Sequence, residues 1–398
     1  MHHVPESPRF IQALPSTLRS LHIIFRMSHS WRDTHTTSDS PSPHEIHVRE
    51  LLAQVVGKAP RIRYFRVTGA GSIQESWLAP IGTLDHLRAV DILQRTYTKP
   101  DTISLLPPVA ALPHLQQLKL RLSGVTPGSL RPGALPSLKT LTLDAFYAPL
   151  PAVSAFLSAV TSQALSALFI QNCECTNDTV DADLYETCSI IRSRFALSLR
   201  KLELSLRGPD TVGTSALSHS LVRAIEPLLE MRDLVDVRIS ASRGVALAPA
   251  STRELAQLAT AWPAAERVHL CYPASADAAI APVFPSMAEL ARFARHCPRL
   301  VELVLPGIDA SSPPRNPKEA LEVRGGDEEM QPIAPMLRSF ALSDDGRASK
   351  IPDPVALATA LDSLFPEVDW RCPPLASDHW RETMQEAVKL RIGRMLVE

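Results

Sequence analysis

The chain lacks any uninterrupted run of 18 apolar residues, so none of its segments is predicted to cross a membrane. Its first residues, Met-His-His-Val-Pro-Glu-Ser-Pro, contain no apolar stretch of the signal-peptide type. Its six cysteines stand at irregular spacings, which predicts free thiols in a reducing compartment, the cytoplasm or the nucleus. The formal net charge of −1 gives no bulk attraction to nucleic acid or to anionic membranes, so neither is an expected partner.

The chain also lacks the motifs that identify common active sites. It contains no Gly-x-Ser-x-Gly, no Walker A loop and no His-Glu-x-x-His. His44 and His47 lie at the edge of a polar stretch without a third metal ligand. Cys173, Cys175 and Cys188 have no fourth ligand at a suitable spacing. We therefore predict a protein that is not an enzyme and that has no cofactor and no metal site.

What the chain has in abundance is one short phrase, Leu-x-x-Leu-x-Leu, usually introduced by Leu-Pro or Cys-Pro. Its strict and looser copies follow one another at a mean step of about 32 residues. The alternation of apolar and polar residues at the end of each phrase predicts a strand, and stretches with helical spacing lie between the phrases. The last apolar residues of the copies are Ile23, Val67, Ile92, Leu120, Leu143, Ile170, Leu204, Ile239, Leu270, Leu305 and Leu342.

Each repeat unit needs its neighbours. One strand and one helix cannot bury their apolar sides alone, whereas stacked copies share a continuous core. The sequence therefore predicts an α/β solenoid that is curved, with parallel strands on the concave face and helices on the convex face.

Polar stretches and end segments complete the predicted organisation. The solenoid spans residues 14–375, with polar excursions at about 27–43 and 309–335, and residues 1–13 form an N-terminal tail or cap. After a helix at Asp353–Leu364, Phe365–Val368 is predicted to be a last strand. Residues 376–398 form a C-terminal capping helix. This helix is predicted to place Trp380, Met384, Val388 and Met395 near one face.

Residues 165–173, Leu-x-x-Leu-x-Ile-x-x-Cys, resemble the longer consensus of the leucine-rich-repeat family, with Cys173 at its Asn/Cys position. The repeats and the tail with its Trp-x-x-x-Met helix resemble the F-box and leucine-rich-repeat proteins that are abundant in basidiomycete fungi. This resemblance implies a non-catalytic protein-interaction scaffold, similar to the substrate-recognition part of an F-box ubiquitin-ligase adaptor. An F-box takes roughly 40–50 residues. The first repeat here begins at Leu14–Leu18, so the module is missing either from the recorded gene or from the protein.

A doubly wound α/β enzyme with an unrecognised active site is the alternative, since that fold also alternates strand and helix. It predicts a glycine-rich phosphate-binding turn after an early strand. Gly69-Ala-Gly71 follows the second predicted strand, but Gln74 stands where the third glycine belongs.

The side chains that alternate with the apolar strand residues are expected to line the concave face and to bind a protein partner. Seven Lys or Arg outnumber five Asp or Glu on this face, which favours an acidic segment of the partner. Tyr64 and Phe169 are aromatic where solvent is expected, which makes them candidate anchors. The protein itself is expected to be a monomer. The predicted partner-binding residues are Tyr64, Arg66, Lys119, Arg121, Phe169, Lys201, Arg207, Arg238, Arg267 and His269.

Overall fold

A computed structural model describes most of the repeats. The chain divides into two compact units, Met1–Cys173 and Glu174–Glu398. The N-terminal tail up to residue 12 and nearly all of both predicted excursions lie outside the described residues, so those assignments remain predictions. The described residues are 13–25, 43–69, 78–94, 106–110, 112–122, 133–146, 148–176, 179–208, 219–242, 245, 247–248, 252–271, 284–311, 336–342, 351–369 and 378–396.

The first unit contains a parallel sheet in which each described strand pairs with the next strand in sequence. The strands are β1 (Ser20–Phe25), β2 (Tyr64–Gly69), β3 (Ala89–Gln94), β4 (Gln117–Arg121), β5 (Thr140–Asp144) and β6 (Ala167–Glu174). The helices between them are α1 (Pro43–Lys58), a 3-10 turn at Ala79–Thr83, α2 (Leu106–Ala110) and α3 (Leu150–Ala159).

The second unit repeats this pattern, again with parallel pairing of consecutive strands. Its strands are β7 (Lys201–Arg207), β8 (Asp236–Ala241), β9 (Arg267–Cys271), β10 (Glu302–Leu305) and β11 (Ser339–Leu342). Its helices are α4 (Val180–Phe195), α5 (Leu221–Ala224), a 3-10 turn at Glu226–Glu230, α6 (Thr252–Ala261), α7 (Met287–His296), α8 (Pro354–Leu364) and α9 (Asp378–Met395). His219–Ser220 and Leu247–Ala248 form a small separate parallel pair.

The strand order decides between the two predicted folds. A doubly wound sheet reverses its strand order at a switch point. Within each unit the described strands follow one another without such a reversal. Because crossovers between parallel strands are right-handed, a consecutive order places all connections on the same side of the sheet. The fold is therefore an α/β leucine-rich-repeat solenoid, and the doubly wound alternative is wrong.

The apolar residues of the repeated phrase form the core. In β7, Leu202, Leu204 and Leu206 are buried, and the residues between them reach solvent. Cys173, at the Asn/Cys position of the repeat, has a structural role, since its buried thiol donates to the carbonyl oxygen of Ala148 at 3.5 Å. Such a side-chain bond satisfies a backbone group that the connecting segment leaves inside the core.

The predicted last strand at Phe365–Val368 is wrong. Val368 is fully buried and occupies the same repeat position as Leu337, two residues before a strand begins. The amide of Asp369 donates to the carbonyl oxygen of Arg338 at 2.7 Å, as the amide of Arg338 does to Val301 at 2.8 Å. Residues 365–368 therefore form a turn at the position that precedes the strand in the other repeats.

The C-terminal helix is covered along only part of its length. Trp380 and Met384 are buried, whereas 39% of Val388 and 63% of Met395 are exposed. The predicted common apolar face is thus correct for the first turns of α9 and wrong for its end. No helix in the described part of the chain is long and apolar enough to span a membrane.

Candidate functional site

The polar face of each unit is the sheet surface formed by the strand side chains that alternate with the buried ones. In β7 and β4 these side chains are exposed or half-buried, as strand period requires. All ten predicted partner-binding residues lie on this face. Tyr64, Arg66, Lys119, Arg121 and Phe169 belong to the first unit, and Lys201, Arg207, Arg238, Arg267 and His269 belong to the second.

A carboxylate bridge organises the polar face of the second unit. The Nε of Arg238 donates to Oδ1 of Asp236 at 3.0 Å, and the Nε of Arg267 donates to Oδ2 at 2.8 Å. Asp236 and Arg267 are register partners on neighbouring strands. Only 8% of Asp236 is exposed, so one nearly buried carboxylate fixes two guanidinium groups from adjacent repeats.

The bridge shifts the pKa values of Asp236 and Arg238. Burial alone would raise the pKa of the Asp236 carboxyl, but the hydrogen bonds and charges of Arg238 and Arg267 outweigh burial and hold that pKa below its usual range. Burial likewise opposes the charged form of Arg238, yet its hydrogen bond to Asp236 raises the pKa of the guanidinium. Asp236 and Arg238 therefore stay charged at neutral pH.

Asp236→Asn is expected to lower the free energy of unfolding at pH 7 by about 1–3 kcal/mol, because it leaves two partly buried arginines without their counter-charge. A depressed folded-state pKa contributes stability that is present above the unfolded-state pKa and is lost as pH falls through the folded value. The difference from the parent should therefore shrink below about pH 4. Urea unfolding of the variant and of the parent at pH 7 and pH 3 measures this difference in the free energy of unfolding. The exposed Asp85→Asn is the control, and an equal difference at both pH values would contradict the assignment.

Charges of opposite sign alternate along one register row of the second unit. The row runs Lys201, Asp236, Arg267 and Glu302, on β7, β8, β9 and β10. In the next row, the Nε2 of His269 lies 3.2 Å from Oε1 of Glu302. Cross-strand neighbours of opposite charge stabilise a sheet and hold one another in place. This arrangement is suited to docking a complementary surface.

The arginines on the polar face of the first unit also have intramolecular partners. The Nε of Arg66 lies 3.3 Å from Oδ2 of Asp91. Arg121 approaches Asp144 at 3.7 Å and stacks over the ring of Phe146, 4.8 Å from its centroid. The positive charge available to a partner is thus smaller than the count of basic residues suggests.

The two predicted aromatic anchors do not form one cluster. Tyr64 lies on β2, and its register row passes through β3, β4 and β5 to Ala167 on β6, the strand of Phe169. Four strand spacings separate them by about 19 Å. Each is half-buried, so each is a separate candidate contact.

The five acidic residues counted on this face include Asp91, Asp236 and Glu302, but the ten predicted partner-binding residues do not. The signal that could have placed them is register. Every repeat carries the same apolar spacing, so residues at equal offsets from the phrase become cross-strand neighbours. That offset puts Asp236 beside Lys201 and Arg267.

Cys188 and Cys297 are fully buried in the core of the second unit. Burial raises the pKa of the Cys188 thiol, and it raises that of Cys297 to about 12. Cys297 donates to the carbonyl oxygens of Ala259 and Trp262 at 3.5 and 3.4 Å. A protonated, buried thiol is a structural group rather than a nucleophile. Within the described ranges, no group of three His, Cys, Asp or Glu side chains could hold a metal ion.

Comparisons with known proteins add no functional residue. No protein family and no curated protein matches the chain. Among solved structures, a chain of the yeast Rad7 and Elc1 complex aligns over 76% of both chains, with 13% identity and a TM-score of 0.37. A leucine-rich-repeat protein of Leptospira interrogans aligns over 79% of this chain and 91% of its own, with 12% identity and a TM-score of 0.26. The fold assignment rests on the strand order, register and burial of the repeats.

Proposed function

We propose that this chain is a non-catalytic scaffold that binds another protein through the polar face of its repeats. The observation that supports this most directly is the Asp236 bridge, which holds Arg238 and Arg267 in fixed positions towards solvent. Side chains that are ordered before binding lose little conformational freedom when a partner docks. Fixed charges of both signs also select a partner with the complementary pattern.

A finer proposal follows from the resemblance of the repeats and tail to fungal F-box and leucine-rich-repeat proteins. The chain would serve as the substrate-recognition part of a ubiquitin-ligase adaptor, as a monomer in the cytoplasm or nucleus. Affinity purification from the native cell with mass spectrometry tests it. If the F-box is missing only from the recorded gene, the protein of the native cell should recover cullin-ligase subunits stoichiometrically. Their absence would remove this finer proposal while leaving the scaffold intact.

The role of the polar face is tested with a partner that the parent protein recovers. Lys119→Glu with Lys201→Glu is expected to slow association, since neither lysine forms an ion pair within the described residues. Phe169→Ala is expected to speed dissociation about 30-fold, because loss of an aromatic anchor costs 2 kcal/mol or more. Biolayer interferometry measures both rates.

The matched control reverses the same number of charges on exposed helical residues of the second unit, Arg253→Glu with Arg292→Glu. Its association rate should stay within about twofold of the parent. If the partner binds the Lys119/Lys201 and Phe169 variants as well as it binds the parent, the polar face is not the recognition surface.

A further inference from the structure

The sheet of each unit has an amino-end rim, formed where the chain enters each strand. Every repeat contributes two residues to it: a turn residue just before the first leucine of the phrase, and a strand-start residue just after that leucine. The amide of Arg63 donates to the carbonyl oxygen of Arg19 at 2.8 Å, and the amide of Arg88 donates to that of Arg63 at 2.9 Å. Strand-start residues of neighbouring repeats are therefore about 4.8 Å apart.

In the second unit the rim supplies its own carboxylates. The strand-start residue of one repeat pairs with the turn residue of the next, and this happens three times. The pairs are Arg200 with Asp233 at 3.4 Å, Glu266 with Arg299 at 3.3 Å, and Arg338 with Glu367 at 2.6 Å. The two remaining positions hold the uncharged pairs Val235 with Ala264 and Val301 with Met336. Ionic and apolar pairs thus leave no uncompensated charge at these positions.

In the first three pairs of the first unit, the same positions hold arginines and histidines and no carboxylate. These pairs are Arg19 with Arg61, Arg63 with His86, and Arg88 with His114, and all six residues are exposed. The Arg19 guanidinium donates to the carbonyl oxygen of Arg61 at 3.4 Å. Within the described residues, none of the four arginines forms an ion pair with a carboxylate. Like charges on adjacent strands repel one another, and a bound anion would relieve that repulsion.

We propose that the amino-end rim of the first unit binds an acidic segment of a partner protein. Its carboxylates would take the places that Asp233 and Glu367 occupy in the second unit. Arg19 and Arg88 lie two strand spacings apart, about 10 Å, which three residues of an extended peptide span. The repeat itself shows that an arginine in this position pairs with a carboxylate. None of the six positions carries Phe, Tyr or Trp, the large aromatic platforms on which successive nucleic-acid bases stack.

This inference rests on the proposed scaffold function, because it names a partner class for it, but it uses a different surface. The test uses the full chain and a fluorescent peptide of alternating glutamate and serine, with binding followed by anisotropy. Arg19→Glu, Arg63→Glu and Arg88→Glu together should weaken binding at least about tenfold. Arg253→Glu, Arg292→Glu and Arg295→Glu change the net charge equally on exposed helical positions of the second unit and should change binding by less than about twofold.

A second variant distinguishes loss of peptide binding from loss of the folded state. His86→Glu with His114→Glu supplies carboxylates next to Arg63 and Arg88, as Glu367 does for Arg338. It should abolish peptide binding while the melting temperature stays equal or rises. Peptide binding at parental strength by this variant or by the triple arginine variant would overturn the inference.

Two further probes decide the class of partner. A single-stranded DNA oligonucleotide of equal charge and vesicles containing anionic lipid should bind more weakly than the peptide. Stronger binding of either probe that depends on Arg19, Arg63 and Arg88 would show that the partner class is wrong. Failure of the scaffold proposal is distinguishable, because Lys119→Glu with Lys201→Glu should leave peptide binding within about twofold of the parent whatever it does to the native partner.

Discussion

Leu202→Ala is expected to lower the free energy of unfolding by about 2–5 kcal/mol, and Leu202→Asp is expected to unfold several repeats together. Only 1% of Leu202 is exposed, and its register partner Val237 in the next repeat is fully buried. Deleting the isobutyl group removes apolar contacts on both sides and leaves a cavity that close-packed neighbours cannot fill. An aspartate there would bury a charge without a partner.

The measurement is urea denaturation followed by far-ultraviolet circular dichroism. Lys201→Ala is the matched control, because Lys201 precedes Leu202 on the same strand and is exposed. It should change the free energy of unfolding by no more than about 0.5 kcal/mol. A soluble Leu202→Asp protein with unchanged helix and strand signal would contradict the repeat register.

The strands could be predicted from the sequence because their signal is local. Each copy of the phrase ends in an apolar-polar alternation, and the last apolar residue of every copy, from Ile23 to Leu342, lies on a strand. The false strand at Phe365–Val368 shows the limit of that signal. Its spacing of apolar residues suggested the end of a phrase, where the strand lies. The buried Val368 instead corresponds to the first apolar residue of a phrase, which in the other repeats precedes the strand. Only the backbone bond from Asp369 to Arg338 fixes that register.

The candidate site was predictable in position but not in charge. Strand period alone places Arg238 and Arg267 on the polar face. How much of their charge is available to a partner depends on the acidic residues nearby, and the single carboxylate of Asp236 pairs with both and offsets one of the two positive charges. The rim of the first unit is the converse case. Arg63 and Arg88 precede the alternating strand residues, so strand period does not place them on the polar face. Their equal distance from the first apolar residue of the phrase becomes visible when the repeats are aligned.

Trp380→Ala is expected to lower stability by about 3–5 kcal/mol and to detach α9 from the second unit. Trp380 is fully buried and meets Phe340 of β11 edge to face, with ring centroids 5.9 Å apart and planes at 77°. Such a pair contributes beyond its buried area. The other anchors of α9 are the smaller buried side chains of Met384 and Ala387 and two arginines. The Arg391 guanidinium donates to backbone carbonyls of Pro366 and Val368, and Arg394 pairs with Asp362.

The loss should be local, because the repeats before β11 have their own cores and only the end of the unit loses its cover. Hydrogen exchange should therefore speed up in Asp378–Met395 and in β11 at a urea concentration that leaves Leu202 and its neighbours protected. Met395→Ala, which lies on the same helix with 63% of the residue exposed, should change the unfolding free energy by less than about 0.5 kcal/mol. If exchange in α9 is the same in the parent and in Trp380→Ala, the helix does not cap the sheet through its tryptophan, and Arg391 becomes the residue to test.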